Sequence, residues 1–180
     1  MAGIGISTLR KKLSAAGGQK IVRAMPNLPV QVSLGMTGWI ATKNLNSIDK
    51  KLVRKIFQSM GKELELKTEK KIDALGAISG CGPAYFFYFT ELLALKGQKM
   101  GFTNEESKQL AETTFIGSAR LLQNNERDAK EWRAAVSSKG GFTERAIQYF
   151  ADAGLSDIVA GAVETAKKRT EEMGRLFKNV

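Results

Sequence analysis

The hydrophobic pattern changes character near residue 68, and that change limits what the chain can fold into. Up to about residue 67 the apolar segments are short and mixed. Ile4 to Leu13 reads as a short helix. Lys20 to Ala24 reads as a strand, stopped by Met25-Pro26-Asn27. Val30 to Ser33 and Thr37 to Ala41 have strand composition, with Gly35 between them. Ser47 is placed to cap a helix carrying Ile48, Leu52, Val53, Ile56 and Phe57 at a 3.6-residue period, ending near Gly61. Glu63 to Leu66 alternates as a strand does. A strand, a helix and a strand in series is α/β behaviour.

From Thr68 onward the pattern is helical. Thr68 can cap a helix through Asp73 and beyond, and Pro83 suits the first turn of a helix to about Gln98. Thr103-Asn104-Glu105-Glu106 is a capping-box pattern that opens a helix to about Gln123. Its expected inner face holds Leu110, Thr114, Gly117 and Leu121. Shorter helices fit Asp128 to Val136 and Thr143 to Ala153. The last runs from Ser156 to Lys178, with Ile158, Val159, Ala162, Val163, Ala166, Met173, Leu176 and Phe177 recurring at helical spacing. The expected architecture is therefore an α/β part over 1–68 followed by an all-α part over 69–180, mostly α in total.

Composition removes several function classes. The 180 residues include no His and one Cys. Without His there is no imidazole general base, triad member or metal ligand. One Cys leaves no intrachain disulfide and no multi-Cys zinc site, so no metal is expected. The longest apolar stretch, Ala84 to Leu95, is interrupted by Thr90 and Glu91. It falls short of the about 20 residues that a membrane span needs. At the amino terminus the charges follow the apolar residues, the reverse of a secretory signal. The chain therefore reads as cytoplasmic, with no membrane partner.

The net charge is +10, and it is uneven. Residues 1–68 carry 12 Lys+Arg against 3 Asp+Glu, whereas residues 69–180 carry 16 against 15. A basic front half suits nucleic acid, an anionic surface or a phosphate-bearing ligand. Here the basic residues are scattered and lack interleaved aromatics, and no recognition helix stands out. A Lys-rich solvated surface is the simpler reading, and no nucleic-acid partner is expected.

Three glycine-containing stretches are candidate ligand sites. Gly3-Ile4-Gly5 imitates the start of a dinucleotide loop. It fails because only two residues precede it, Thr8 stands where the third glycine belongs, and no acid occurs before Asp49. Ser79-Gly80-Cys81-Gly82-Pro83-Ala84-Tyr85 suits close backbone approach, and a tight helix–helix joint is the simpler reading of it. In Val136-Ser137-Ser138-Lys139-Gly140-Gly141-Phe142-Thr143, hydroxyls and glycines precede a helix. Free N–H groups and the helix dipole there favour an anion such as a carboxylate, although a plain cap with a flexible approach fits as well.

Taken in order, Arg23-Ala24-Met25-Pro26-Asn27, SGCGPAY at 79–85 and VSSKGGFT at 136–143 resemble the pyrroline-5-carboxylate reductases, which catalyse the last step of proline biosynthesis. Met1-Ala2-Gly3-Ile4 is similar to the family's Ala-Gly-Ile after a core strand. The resemblance covers nearly the whole chain. It implies that 1–68 is the end of a Rossmann-like dinucleotide-binding domain and 69–180 a helical dimerisation and substrate domain. The family opens with a glycine-rich cofactor loop, and this chain opens after it, as a truncated or split form would.

The implied chemistry is hydride transfer from NADPH or NADH to the imine carbon of 1-pyrroline-5-carboxylate, giving proline. By resemblance, Ser138, Gly141, Phe142 and Thr143 line the substrate site, with Glu126 beside it. Loop N–H groups hold the carboxylate, and Thr143, the implied catalytic residue, hydrogen-bonds near the ring nitrogen. Ala2, Pro26 and Asn27 lie beside the nicotinamide. A homodimer or larger ring is implied, with each active site drawing on two subunits. Three positions depart from the family's usual residues. Lys139 replaces a proline, Cys81 replaces a serine, and Phe142 is bulkier than the usual small residue. The alternative is an oligomerisation module that keeps the dimer and has lost hydride transfer.

Overall fold

The computed structural model describes residues 4–12, 19–124 and 127–176. The chain divides into two compact units: Met1–Pro83 with Gly161–Val180, and Ala84–Ala160.

The first unit is built on a three-stranded sheet of order β1-β2-β3, with β1 Val22–Met25, β2 Gly35–Ala41 and β3 Gly61–Glu65. β1 runs antiparallel to β2, pairing Arg23 with Ile40 and Met25 with Gly38. β2 runs parallel to β3, pairing Gly35 with Gly61. That parallel pair requires a crossover, and helix α2 (Ser47–Gln58) supplies it. The short helix α1 (Ile6–Lys12) precedes the sheet.

Alternation along the strands sends side chains to two covered faces. On one face Trp39, fully buried, meets Phe57 of α2 at 6.2 Å between ring centroids. The indole N–H donates to Glu63 Oε2 at 2.6 Å, so the buried donor is satisfied. On the other face lies α3 (Glu69–Leu75), whose buried Ile72 anchors it. A side chain at Gly38 would strike Leu75, with a Cβ only 2.4 Å from Cδ1, so glycine is what lets α3 sit down on β2. Gly35 and Gly61 meet even more closely, and Gly61 holds φ +137°, a conformation suited to glycine.

Two expectations for this region change. Val30 to Ser33 is not a strand. Leu28–Val32 forms a 3₁₀ turn, with Pro29 at its start and Ser33 left-handed at φ 57°. Proline supplies the helical φ and no N–H for a ladder, which outweighs the β-branched composition. The cap of α2 is Asn46, not Ser47. Asn46 Oδ1 accepts the Asp49 N–H and Asp49 accepts the Asn46 N–H, both at 2.9 Å. Of the apolar residues on α2, Val53 and Phe57 are half-buried, while Ile48, Leu52 and Ile56 are exposed.

After α3 the helix widens into a π-helical turn, Gly76–Gly80, closed by the Cys81 N–H donating to the Gly76 carbonyl at 2.9 Å. Helix α4 (Gly82–Lys99) follows, with Pro83 in its first turn. The second unit holds the rest of α4, then α5 (Asn104–Asn124), α6 (Ala129–Ala135), α7 (Phe142–Asp152) and the start of α8 (Leu155–Leu176). The predicted capping box at Thr103 forms, with Thr103 and Glu106 exchanging bonds of 2.8 and 3.2 Å.

Within this unit α5 packs through small residues. Ser107 and Ala111 are buried, and a Cβ on Gly97 would lie 2.9 Å from Ser107 Oγ. Phe86 stacks with Phe115 at 5.6 Å, and Phe89 meets Phe150 at 6.1 Å. The expected inner face of α5 is thus the outer one: Leu110, Thr114, Gly117 and Leu121 are all exposed. The stripe with glycine opposite it packs inward, because small side chains let the backbones approach. Phe102, Glu106, Gln109, Leu110, Thr113 and Thr114 line an open groove of about 480 Å³. Among the described residues no helix is long and apolar enough to cross a membrane, and no group of acids and Cys is placed to hold a metal ion.

Candidate functional site

The motif residues fall into two groups, one in each unit. In the first unit the turn Met25-Pro26-Asn27 leaves the carboxyl end of β1. Asn27 holds this turn through both ends of its amide. Its Oδ1 accepts the Met36 N–H at 2.8 Å, and its Nδ2 donates to the Ser79 carbonyl at 3.0 Å. The second of these bonds joins the first motif to the second. Met25 packs at the joint, its Cε lying 3.2 Å from where a Cβ on Gly76 would stand and 3.5 Å from one on Gly80. Pro26 is left exposed beside them. π-Helical turns gather at functional sites, and this one is braced against the candidate turn. Cys81 follows it, half-buried with a free thiol.

Arg23, in the same motif, is 6% exposed. It pairs with Asp73 at 2.6 Å and Glu69 at 3.4 Å, and Glu69 also accepts the Ile6 N–H at 2.6 Å. A guanidinium shared between two carboxylates can stay charged out of water. Arg23 thus pins α1 and α3 to β1, a structural role that sequence reading did not assign.

In the second unit the loop between α6 and α7 carries Ser138, Lys139, Gly140 and Gly141, and the first turn of α7 carries Phe142 and Thr143. Asp128 and Glu131 cap α6 reciprocally at 2.8 and 2.9 Å, and Ser137 closes its far end by donating to the Arg133 carbonyl at 2.7 Å. Gly140 takes φ +75°, and the Gly141 N–H donates to the Ser138 carbonyl at 2.9 Å. Gly141 is the N-cap of α7 and offers no side chain to the helix. The first N–H groups of α7 therefore have no intrahelical partner and carry the positive end of the dipole. Thr143 is half-buried in this first turn, whereas Phe142 is 91% exposed. The Gly140 N–H donates to Glu144 Oε2 at 2.7 Å, a contact not foreseen from sequence. Ala2 and Glu126, both candidate site residues, lie outside the described residues.

This arrangement can hold a small anion at the α7 loop. A family model for pyrroline-5-carboxylate reductase dimerisation matches residues 69–173. The chain belongs to the pyrroline-5-carboxylate reductase family. The pyrroline-5-carboxylate reductase of Vibrio alginolyticus is 36% identical over 177 residues, covering 98% of this chain and 64% of that protein. That of Corynebacterium melassecola is 33% identical over 174 residues, covering 97% and 63%. The chain spans less than two thirds of the length of these curated relatives. Among solved structures, a Coxiella burnetii pyrroline-5-carboxylate reductase superposes with a TM-score of 0.89 at 32% identity, covering 96% of this chain and 63% of that one. The Plasmodium falciparum pyrroline carboxylate reductase, solved with NADP bound, superposes at 0.84 with 36% identity, covering 96% and 65%.

The turn at Pro26 and Asn27 is exposed at Pro26 and braced by the Asn27 amide. Among the described residues no glycine-rich turn joins a strand to a helix, so none offers a cradle for the pyrophosphate.

Proposed function

We propose that the chain provides the substrate-holding and subunit-pairing part of an NAD(P)H-dependent reductase that converts 1-pyrroline-5-carboxylate to L-proline. The observation that carries this reading is the α7 loop, where an uncapped helix terminus and two glycines stand at the family's third motif. Loop N–H groups there would bind the substrate carboxylate. The Thr143 hydroxyl would hydrogen-bond the ring nitrogen, and Ser138, Gly141 and Phe142 would line the ring, with Glu126 beside them. Ala2, Pro26 and Asn27 would hold a reduced nicotinamide, whose chemistry would be hydride donation to the imine carbon. The substrate's nitrogen can arrive protonated, so the absence of His is no obstacle.

In this reading residues 1–68 belong to a dinucleotide-binding domain and 69–180 to the helical domain. The protein works in the cytoplasm as a homodimer or larger ring. Exposed apolar residues on α4 and α5, among them Phe87, Tyr88 and Leu110, support the pairing. They would equally serve a module that pairs without hydride transfer.

The deciding experiment follows NADPH absorbance with 1-pyrroline-5-carboxylate. The purified chain is used alone and with a dinucleotide-binding half supplied separately. Turnover that Thr143→Ala abolishes is the expected result in at least one of the two. No turnover in either leaves the pairing module as the function.

A further inference from the structure

Helix α3, the π-helical turn and α4 follow one another from Glu69 to Lys99, with only Cys81 between the turn and α4. Pro83 therefore stands inside a helical run, not at a free helix start. In such a place a proline removes the bond to the carbonyl four residues back, and its ring crowds that carbonyl. The carbonyl four back is that of Ser79. It is the one that accepts Asn27 Nδ2 at 3.0 Å. The other end of the same amide is engaged as well, since Oδ1 accepts the Met36 N–H at 2.8 Å. Both polar ends of the half-buried Asn27 side chain thus bond to the protein itself.

We propose that Pro83 is a positioning residue: by withholding an N–H it leaves the Ser79 carbonyl to Asn27, which uses it to fix the Met25-Pro26-Asn27 turn. Its consequence for function rests on the reading of that turn as the seat of a reduced nicotinamide. A carbonyl bonded within its helix lies along the axis. Freed of that bond, it tilts outward to a partner at the side. An N–H at position 83 would draw the Ser79 carbonyl back along the axis, and the Asn27 amide would lose its acceptor. The turn would then be tied through Met36 alone. Asn27 on this account acts by placing Pro26, its exposed neighbour.

The test is a double-mutant cycle on the full chain with Pro83→Ala, Asn27→Ala and the two together. Two-dimensional NMR follows the Asn27 side-chain amide. Titration with reduced nicotinamide mononucleotide, which needs no pyrophosphate cradle, follows the turn. In Pro83→Ala the Asn27 side-chain amide should exchange with solvent roughly three- to tenfold faster. The thermal midpoint should stay level or rise, because alanine restores a helical bond, so the turn loosens without a loss of fold. Asn27→Ala should lower the midpoint less in the Pro83→Ala background than alone. Mononucleotide binding should weaken by roughly three- to tenfold in either single variant, and no further in the pair. An Asn27 amide as protected in Pro83→Ala as in the unaltered chain overturns the proposal, whatever the titration shows. Fully additive losses in the cycle overturn it too. If the unaltered chain binds no mononucleotide, the reading of the turn as a nicotinamide seat falls, and the Asn27 amide still decides the role of Pro83.

Discussion

The two units solve the problem of burial in opposite ways. The sheet-based unit has a buried core of its own, although Ile48, Leu52 and Ile56 of α2 stay exposed. Trp39, Thr37 and Ile72 are essentially inaccessible, and glycines at 35, 38 and 61 let backbones and helices meet at distances no side chain would permit. The helical unit buries only Ser107 and Ala111 among its described residues, and leaves Phe86, Phe87 and Tyr88 more than half exposed. An apolar helix surface of this kind is stable only when something covers it. The first unit therefore draws stability from its own core. The second should have a stability that depends on protein concentration, as association by mass action requires.

Gly61→Ala probes that difference most severely. Its Cβ would lie 2.2 Å from the Gly35 carbonyl oxygen, and its φ of +137° disfavours any side chain. Both obstacles are backbone, so no rotamer relieves them. A loss of about 4 kcal/mol is expected, read in urea from Trp39 fluorescence in a Trp132→Phe background, which reports the sheet. A loss under about 1 kcal/mol would mean the strand junction is far more yielding than described.

Leu110→Ser should do the reverse. Its side chain is 51% exposed at the groove on α5, so folding within one chain should hardly change. Self-association should weaken by about 2 kcal/mol, roughly thirtyfold in dissociation constant. Sedimentation velocity over a concentration series measures it. Unchanged association would place the paired surface elsewhere.

A matched pair of cap deletions sharpens the comparison. Asn46→Ala and Asp128→Ala each remove a reciprocal capping box, at about 1 kcal/mol apiece. For α2, seated on Trp39 through Phe57, the loss should appear in the cooperative unfolding of the sheet. For α6, only seven residues long, it should appear as local fraying in amide exchange, with the unfolding midpoint almost unmoved.

Acid should give the smallest effect. The hydrogen bond from Lys20 holds the Asp49 carboxyl below its ordinary 3.8, and that from Lys50 does the same for Glu65 against 4.5. Depressed carboxylates contribute stability above their ordinary values. They lose it as pH falls through the lowered ones. Thermal midpoints of the sheet unit should therefore be flat above about pH 5 and decline below about pH 4, and Glu65→Gln should blunt the decline.

Much of this fold was legible because it is locally encoded. Thr103 with Glu106 named the start of α5, and Pro83 fell in the first turn of α4. The stretch after Asn27 misled because Val30 and Val32 favour strands in composition while Pro29 fixes the backbone for a turn. Helical periodicity found the stripes on α5 but not which one faces inward. Leu110 and Leu121 look like core, yet the contact goes to Ser107 and Ala111, where Gly97 admits close approach. That choice depends on the opposing helix, which a single stripe does not reveal.

The candidate site divides in the same way. The three motifs were visible in order, and so was the helix start after Gly141. The link from Asn27 to Ser79 spans 52 residues and has no local signature. The Glu144 contact did have one, an acid placed close after a run of glycines at a helix start. It was passed over because no Ser or Thr stands at the N-cap to complete a capping box.

Asn27 gathers three separate stretches of chain on one side-chain amide: its own turn, the start of β2 at Met36 and the end of the π-helical turn at Ser79. Slow opening events that release any one of them must break the others' bond as well. In native-state hydrogen exchange the Met36 amide and the amides of the π-helical turn should then lose protection together, as a single cooperative step. Proteolytic nicking near residue 79 should likewise free the start of β2, 43 positions earlier in the chain.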